Sequence, residues 1–299
     1  MIFLDISCLG SCYKNSQPRE LFFSLMSLFL DESVPKQVIL VVDGPIDDDL
    51  KKIIVYFVKN FKIEVLEFNK NRGLGVALSE GLKKCRFNLV ARFDTDDINL
   101  PYRLEKQMKF LKKKQNISVV GSSVLELKKT LHSFLVRNKR VPITNRGIIL
   151  SSFYRNPINH PSVLFKKSDI LRIGNYKNRL LFEDYDLWLR LINKGYKFKN
   201  FNEPLVLMRR DDASIRRDDF NYIKKEFAFI KRLEIKIEKR ILLFFVFAFK
   251  SLLKIILSAK IINFVPWRAN WEPMSEKYKK LLDLLDVKYL NYLRKSNYR

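Results

Sequence analysis

The segment Val90–Gln107, VARFDTDDINLPYRLEKQ, leaves an apolar run and sets three aspartates, Asp94, Asp96 and Asp97, within four positions. Like charges this close repel, so the arrangement costs stability unless something positive sits beside it. Crowded hard oxygen ligands suit Mg2+ or Mn2+, ions that hold a diphosphate while keeping some of their waters. Asp-x-Asp is also what a solvated turn or helix cap looks like. Here it closes an apolar strand, and that context favours the ion. A second polar cluster, NKNRGLGVALSEGL, carries glycines but matches neither G-x-G-x-x-G nor the P-loop spacing. Gly75 reads as a tight entry into a helix. Arg72 has the planar fork that suits a base carbonyl or a phosphate.

These residues need a scaffold, and the chain from its start alternates strand and helix signals. IFLDISCL reads as a strand and PRELFFSLMSLFL as a helix with Pro18 in its first turn. QVILVVD is a short β-branched run ending at the turn Asp43-Gly44-Pro45. Helix-like DDLKKIIVYFVKN precedes the strand IEVLEF, and GVALSEGLKKC precedes NLVARFD. Such β-α-β repeats with apolar strands predict an α/β fold, a mostly parallel Rossmann-like sheet with helices on both faces. Ligands bind such sheets beyond the carboxyl ends of the strands. Asp43, Asn69–Gly73 and Asp94–Asp97 all fall there, on one rim.

Further on, PYRLEKQMKFLKKK reads as a helix, ISVVGS and PSVLFKK as strands, LFEDYDLWLRLINKGYKF as a helix ending at Gly195, and EPLVLMRR as a strand. From about Asp218 the pattern turns helical, beginning with FNYIKKEFAFIKRLEIKIEKR as one segment. We therefore divide the chain into a catalytic domain, 1–217, and a basic, amphipathic helical C-terminal region, 218–299.

Composition bounds the partners. A chain of 299 residues, 47% hydrophobic and 30% charged, buries a large core. Its formal charge of +25 points to a polyanionic neighbour. Residues 221–299 hold 18 Lys and Arg against 7 Asp and Glu, so the charge leans toward that end. Cys8, Cys12 and Cys85 have neither disulfide nor zinc spacing and read as reduced structural thiols. No secretory signal and no spanning helix is expected. The segment ILLFFVFAFKSLLKIILSAKIINFVPW is interrupted by Lys250, Lys254 and Lys260, which fall within about 120° of one another on a helix. That pattern suits a helix lying in an anionic membrane surface. The alternative is a helix packed on the catalytic domain with its lysines in solvent.

Taken in order, VVDG, NRGLGVALSEGL, ARFDTDDINLPYRLEKQ, NHPSVLFKKS and FEDYDLWLRLINKGYKF resemble the family 2 glycosyltransferases, specifically those that build bacterial surface polysaccharides such as O-antigen, capsule or exopolysaccharide. The motifs span roughly residues 5–215. The resemblance implies a GT-A fold and inverting, non-processive transfer of one sugar from a nucleotide-diphosphate donor, UDP first, with Mg2+ or Mn2+. The implied acceptor is a growing oligosaccharide on a polyprenyl-diphosphate lipid, and the implied place is the cytoplasmic face of the cell membrane. Carried over by motif, Asp43 contacts the nucleotide base with Arg72 nearby. Asp94 and Asp96 hold the ribose and the metal, with Asp97 as neighbour. Tyr13 stacks on the base, although the opening strand departs from the family in carrying Asp5, Cys8 and Cys12. Asp184, in the Glu-Asp pair, is the implied catalytic base.

The chemistry agrees with these roles. Inverting transfer needs a base on the acceptor side and positive charge on the leaving side. A carboxylate in the first turn of a helix is held in its ionised form. Asp186 points away from Asp184 on that helix. His160 reads as a hydrogen-bonded structural histidine, with a functional role as the second reading. Trp188 reads as a core or pocket wall, and Arg209 and Arg210 as either solvated charges or phosphate contacts. A sugar nucleotidyltransferase would place a glycine-rich basic loop after the first strand, where CLGSCYKNSQP has one glycine. A nucleic-acid binder would show a recognisable module, and none is apparent, so no nucleic-acid partner is expected. A processive synthase would carry Gln-x-x-Arg-Trp, which is absent.

Overall fold

The computed structural model describes residues 2–130, 133–179, 181–210, 220–256 and 270–296. Strand β1 (Ile2–Cys12) leads into α1 (Pro18–Ser27), β2 (Ser33–Val42), α2 (Asp48–Phe61), β3 (Glu64–Glu67), α3 (Leu74–Lys84) and β4 (Leu89–Arg92). Each helix has a local reason to start and a side to bury. In α2 the Asp47 carboxylate caps Leu50 N at 2.8 Å, and Leu50, Ile53, Ile54 and Phe57 are buried. Removing a buried ring such as Phe57 costs about 3–5 kcal/mol. In α3 Gly73 takes φ +88°, and a Cβ on Gly75 would come 2.3 Å from the Lys177 carbonyl. The helix therefore enters tight against another chain segment, as the sequence suggested.

Strand β1 pairs in parallel with β2 and β4, and β2 with β3. The register sets Cys12 beside Val42 and Val42 beside Glu67, so these strands end on one edge. The expected rim exists. Asp5 stays exposed and pairs with Lys36 at 2.6 Å, while Cys8 and Cys12 are buried in the core. The departures in the opening strand are thus absorbed without moving Tyr13 off the strand end.

After β4 come β5 (Ile98–Asn99), α4 (Arg103–Lys113), β6 (Val119–Lys129), β7 (Phe134–Lys139), α5 (Asn145–Ser151), a 3-10 turn at His160–Ser162, β8 (Leu164–Lys166), α6 (Lys167–Arg172), α7 (Glu183–Asn193) and β9 (Phe198–Arg209). Strand β8 is antiparallel to both β4 and β6. The sheet is therefore parallel across β3-β2-β1-β4 and mixed beyond β4. Hydrophobic period reveals a strand but not its direction, so the mixed half was not visible in the sequence.

The tail holds α8 (Phe220–Lys231), α9 (Ile237–Ile256), β10 (Glu272–Pro273) and α10 (Glu276–Ser296). The single helix expected over 220–240 is interrupted after Lys231. Leu233 is buried there beside Phe229 and Ile230, and Glu234 pairs with Lys177 and with Arg179. Tertiary contacts override a sequence that has no breaker at this point. The 217/218 boundary and Lys260 lie outside the described residues. Helices α8 and α9 pack Phe229, Leu243 and Phe247 on Phe182, Tyr185 and Leu189 around α7. Helix α10 places Tyr289 and Tyr292 against Phe22 of α1, at ring separations of 5.2 and 5.3 Å. No helix among the described residues is long and apolar enough to cross a membrane.

Candidate active site

The rim is built around a buried cation. Arg92, the last residue of β4, is 1% exposed and donates to the Asp94 carboxylate and, at 3.4 Å, to the Leu9 carbonyl. Beneath it Arg103, equally buried, donates to Arg92 O at 2.7 Å and Val163 O at 3.2 Å, and also pairs with Asn99. The loop carrying the aspartates is pinned from α1 and β1. Ser24 Oγ donates to Asp94 O at 2.6 Å, Thr95 Oγ1 to Ser11 O at 3.2 Å, and Asn99 N to Ser27 Oγ at 3.0 Å. A loop held at so many points cannot relax its acidic side chains apart.

The three aspartates are not equivalent. Asp97 is buried, and its carboxylate accepts Arg209 N at 2.9 Å. Burial first, and then the Asp96 and Asp94 charges, raise its pKa well above the usual carboxylate range. Asp94 and Asp96 remain partly accessible at the rim. Among the described residues no group of three or more His, Cys, Asp or Glu forms a ready metal cage. The donor set still fits Mg2+ or Mn2+, which are commonly held by one or two carboxylates together with substrate phosphates.

Asp43 is 4% exposed, and its Oδ1 and Oδ2 accept the N–H groups of Arg72 at 2.7 Å and Gly73 at 2.9 Å. Asn71 Nδ2 adds a bond to Asp43 O at 3.1 Å. The side chain expected to meet a base therefore also fixes the loop before α3, and each carboxylate oxygen retains further acceptor capacity. Gly44 at φ +92° passes under this loop, where a Cβ would lie 2.6 Å from Asn71 N. Arg72 stacks over Phe68 at 4.8 Å, beside a surface depression lined by Glu67, Phe68, Asn69 and Lys70. Tyr13 follows β1 directly and is 45% exposed, on the same edge.

Across the rim, Asp184 lies in the first turn of α7. Its Oδ2 accepts Asn156 Nδ2 at 2.6 Å and its Oδ1 accepts Tyr185 N at 2.7 Å. Glu183 beside it is buried, and its pKa is pushed up to about 7. Burial is the main cause and the Asp184 charge the next, with Asp94 adding to the rise and Arg92 opposing it. A short loop ties the two sides together: Asn156, the partner of Asp184, leads into the His160–Ser162 turn, and Val163 O just after it accepts Arg92 N at 3.0 Å and Arg103 Nη2 at 3.2 Å. Asp186 is fully buried and pairs with Arg190 at 2.6 Å and Arg179 at 3.3 Å, turned from Asp184 as expected.

The secondary candidates separate. His160 is buried, bonds Tyr176 Oη through Nε2 at 3.0 Å, and lies 6.1 Å ring to ring from Trp188. Burial, then the Arg92 charge, hold it well below the ordinary histidine range, so the ring is neutral near pH 7. Trp188 is fully buried as a wall. Arg209 lies 5.5 Å over Phe23 and 3.7 Å from Glu20, and Arg210 is 3.6 Å from Glu126. Arg92 was missed in the sequence, yet it carried a signal: in an extended chain, residues two apart share a face, so Arg92 and Asp94 were bound to meet. Nothing in NPINHPS marked its first residue, Asn156, as a partner of Asp184.

The model of the glycosyl transferase family 2 matches residues 17–182, ending just before Glu183. The amylovoran biosynthesis glycosyltransferase AmsE of Erwinia amylovora is 35% identical over 203 residues, 68% of this chain and 75% of that protein. The UDP-Gal:alpha-D-GlcNAc-diphosphoundecaprenol beta-1,3-galactosyltransferase of Escherichia coli is 36% identical over 203 residues, 68% of this chain and 73% of its own length. Among solved structures, S. aureus TarS 1-349 in complex with UDP-GlcNAc superposes with a TM-score of 0.58 at 14% identity, covering 85% of this chain and 72% of that one. The mannosyltransferase PcManGT of Pyrobaculum calidifontis, in complex with GDP-Man and Mn2+, gives 0.57 at 12%, covering 98% and 83%. With its pinned acidic rim and facing Glu-Asp pair, this chain belongs to glycosyl transferase family 2 and has the GT-A fold.

Proposed function

We propose that this glycosyltransferase transfers one sugar, with inversion and without processivity, from a nucleotide-diphosphate donor to a lipid-linked oligosaccharide in surface polysaccharide biosynthesis. The observation that carries the reading is geometric: the loop from Asn156, which holds Asp184, runs through the His160–Ser162 turn to Val163, whose carbonyl accepts from Arg92 and Arg103 beneath Asp94. Donor-side and acceptor-side carboxylates within reach of one another are what in-line displacement at an anomeric carbon requires.

In this reading Tyr13, Asp43 and Arg72 flank the base, with Arg72 presented on Phe68. Asp94 and Asp96 take the ribose and a Mg2+ or Mn2+ ion. When bound, that ion supplies positive charge to the departing diphosphate. Asp184 takes the proton from the acceptor hydroxyl, and Asn156 holds the Oδ2 that would receive it at a fixed angle. Burial and the neighbouring Asp184 charge make the Glu183 carboxyl hold its proton more readily than an ordinary glutamate. UDP is the first choice of nucleotide, since relatives and neighbours are named for UDP-Gal and UDP-GlcNAc. The undecaprenol-linked acceptor named for one relative, and the amylovoran and O-antigen names of others, support the acceptor class. Residues 1–217 act as the catalytic domain, with 218–299 as its membrane-facing appendage.

The test is a thermal-shift screen of nucleoside diphosphates with and without Mn2+, followed by proton NMR of the product. UDP with Mn2+ should stabilise the protein most, and an α-linked donor sugar should appear β-linked in the product. Retained anomeric configuration would contradict the role of Asp184.

A further inference from the structure

Helix α9 is apolar on two opposite sides. One side, Leu243 and Phe247, is buried against Phe182, Tyr185, Leu189 and Phe229. At about 100° per residue, Ile241, Phe245 and Leu252 point roughly 120–160° or more away from those two, with Leu242 and Phe249 next to them. These five are 49%, 66%, 53%, 48% and 63% exposed, respectively. Isolated exposed apolar residues need no explanation, but a contiguous stripe over several turns does. The helix is long enough but too charged to span a bilayer, with Glu238, Lys239, Arg240, Lys250 and Lys254 along it.

We infer that this outward face of α9 seats in the interface of an anionic lipid membrane. Charge decides the occupant. The neighbouring Lys224, Lys225, Lys231, Arg232 and Lys236 are all exposed, and the tail as a whole is strongly basic. A basic surround to a Phe-rich stripe fits an anionic lipid surface, where apolar burial and lysine attraction add. It disfavours a second copy of a chain that itself carries +25. The amphipathic pattern of this segment allows both membrane seating and packing on the catalytic domain. Helix α9 does the second through Leu243 and Phe247, which leaves Ile241, Phe245 and Phe249 for the first. The side chains of Lys250 and Lys254 lie outside the described residues.

The placement deepens the function proposed above, and it rests on that reading only for its purpose. The inner side of α9 joins the same buried cluster as Phe182 and Tyr185, the residues that bracket Glu183 and Asp184, and Phe229 of α8 packs on both of their rings, at 4.7 and 5.6 Å. Seating the outer side in lipid headgroups would hold the acceptor end of the site at the depth where a lipid-linked diphosphate emerges.

The experiment is co-sedimentation of the full chain with phosphatidylglycerol-containing vesicles and with pure phosphatidylcholine vesicles, in the absence of any substrate. The wild type should bind the anionic vesicles and bind the neutral ones more weakly. Phe245→Ser combined with Phe249→Ser should weaken binding to both by about tenfold or more, with an unchanged melting temperature. Lys224→Glu with Lys225→Glu should weaken only the anionic binding, and salt should mimic it. Failure of the wild type to bind, or equal binding by the Phe variant, would overturn the inference. So would a concentration-dependent dimer that the Phe variant disperses while no vesicle binding is seen. Transfer to a water-soluble short-chain acceptor, measured on the same proteins, reports the catalytic reading separately. Vesicle binding without any transfer would remove that reading and leave this one standing.

Discussion

The rim of the sheet and the outer face of α9 invert the usual partition of side chains in opposite senses. At the rim, charged groups go inside: Arg92, Arg103 and Asp97 are all nearly inaccessible. On α9, Ile241, Phe245 and Phe249 stay outside. The rim is made tolerable from within, because its cations are spent on carbonyls and carboxylates of the same chain, Asp94 among them, while Asp94 and Asp96 stay partly accessible. The face of α9 has no such internal partner among the described residues. In the proposed reading, the first region takes a small ligand and the second a membrane surface. Mutations should therefore hurt the two regions differently, through folding and chemistry at the rim and through location alone on α9.

The sharpest way to break this contrast is Asp184→Asn. The rate of transfer should fall about a thousandfold or more, as loss of a general base does, with the fold intact by circular dichroism. Next is Arg92→Met, which leaves Asp94 and the Leu9 carbonyl facing a void of charge. Breaking one side of a buried pair should cost about 3 kcal/mol or more in chemical denaturation. Asp96→Ala should lower metal-dependent UDP affinity by about a hundredfold while leaving metal-independent binding nearly unchanged, as read by calorimetry.

Glu183→Gln sharpens the electrostatic side of the comparison. Glu183 has a folded pKa raised to about 7 from the ordinary 4.5, so the folded state holds its proton more tightly. Wild-type stability from this group should thus fall as pH rises from about 4.5 to about 7. The Gln variant lacks that slope, and its gain over wild type should be largest above pH 7, on the order of 1–3 kcal/mol in denaturant titrations at several pH values. The smallest effect belongs to α9. Phe245→Ser should change stability by less than about 0.5 kcal/mol, because the ring is already in solvent.

Much of this was legible in the chain. The strands β1 to β4 and helices α1 to α4 follow directly from apolar period and turn residues, and with them the common edge that gathers Tyr13, Asp43, Arg72 and Asp94. What period cannot carry is direction and long-range partnering. The antiparallel run of β8 and the contact between Asn156 and Asp184 depend on segments far apart in sequence. So does the break between α8 and α9, which Leu233 and Glu234 impose by packing near α7 where no Pro or Gly announces it. Asp43 shows a subtler limit: residue type and place suggested a base contact, but only geometry reveals that its carboxylate also holds the Arg72 and Gly73 amides.

In the proposed mechanism Asp94 and Asp96 serve the donor, and Asp184 the acceptor, of one reaction. Calorimetric titration of UDP with Mn2+ into Asp184→Asn and Asp96→Ala, side by side, tests it most directly. The account predicts wild-type affinity for the first and a loss of about a hundredfold for the second. Equal loss in both variants, or none in either, would contradict it.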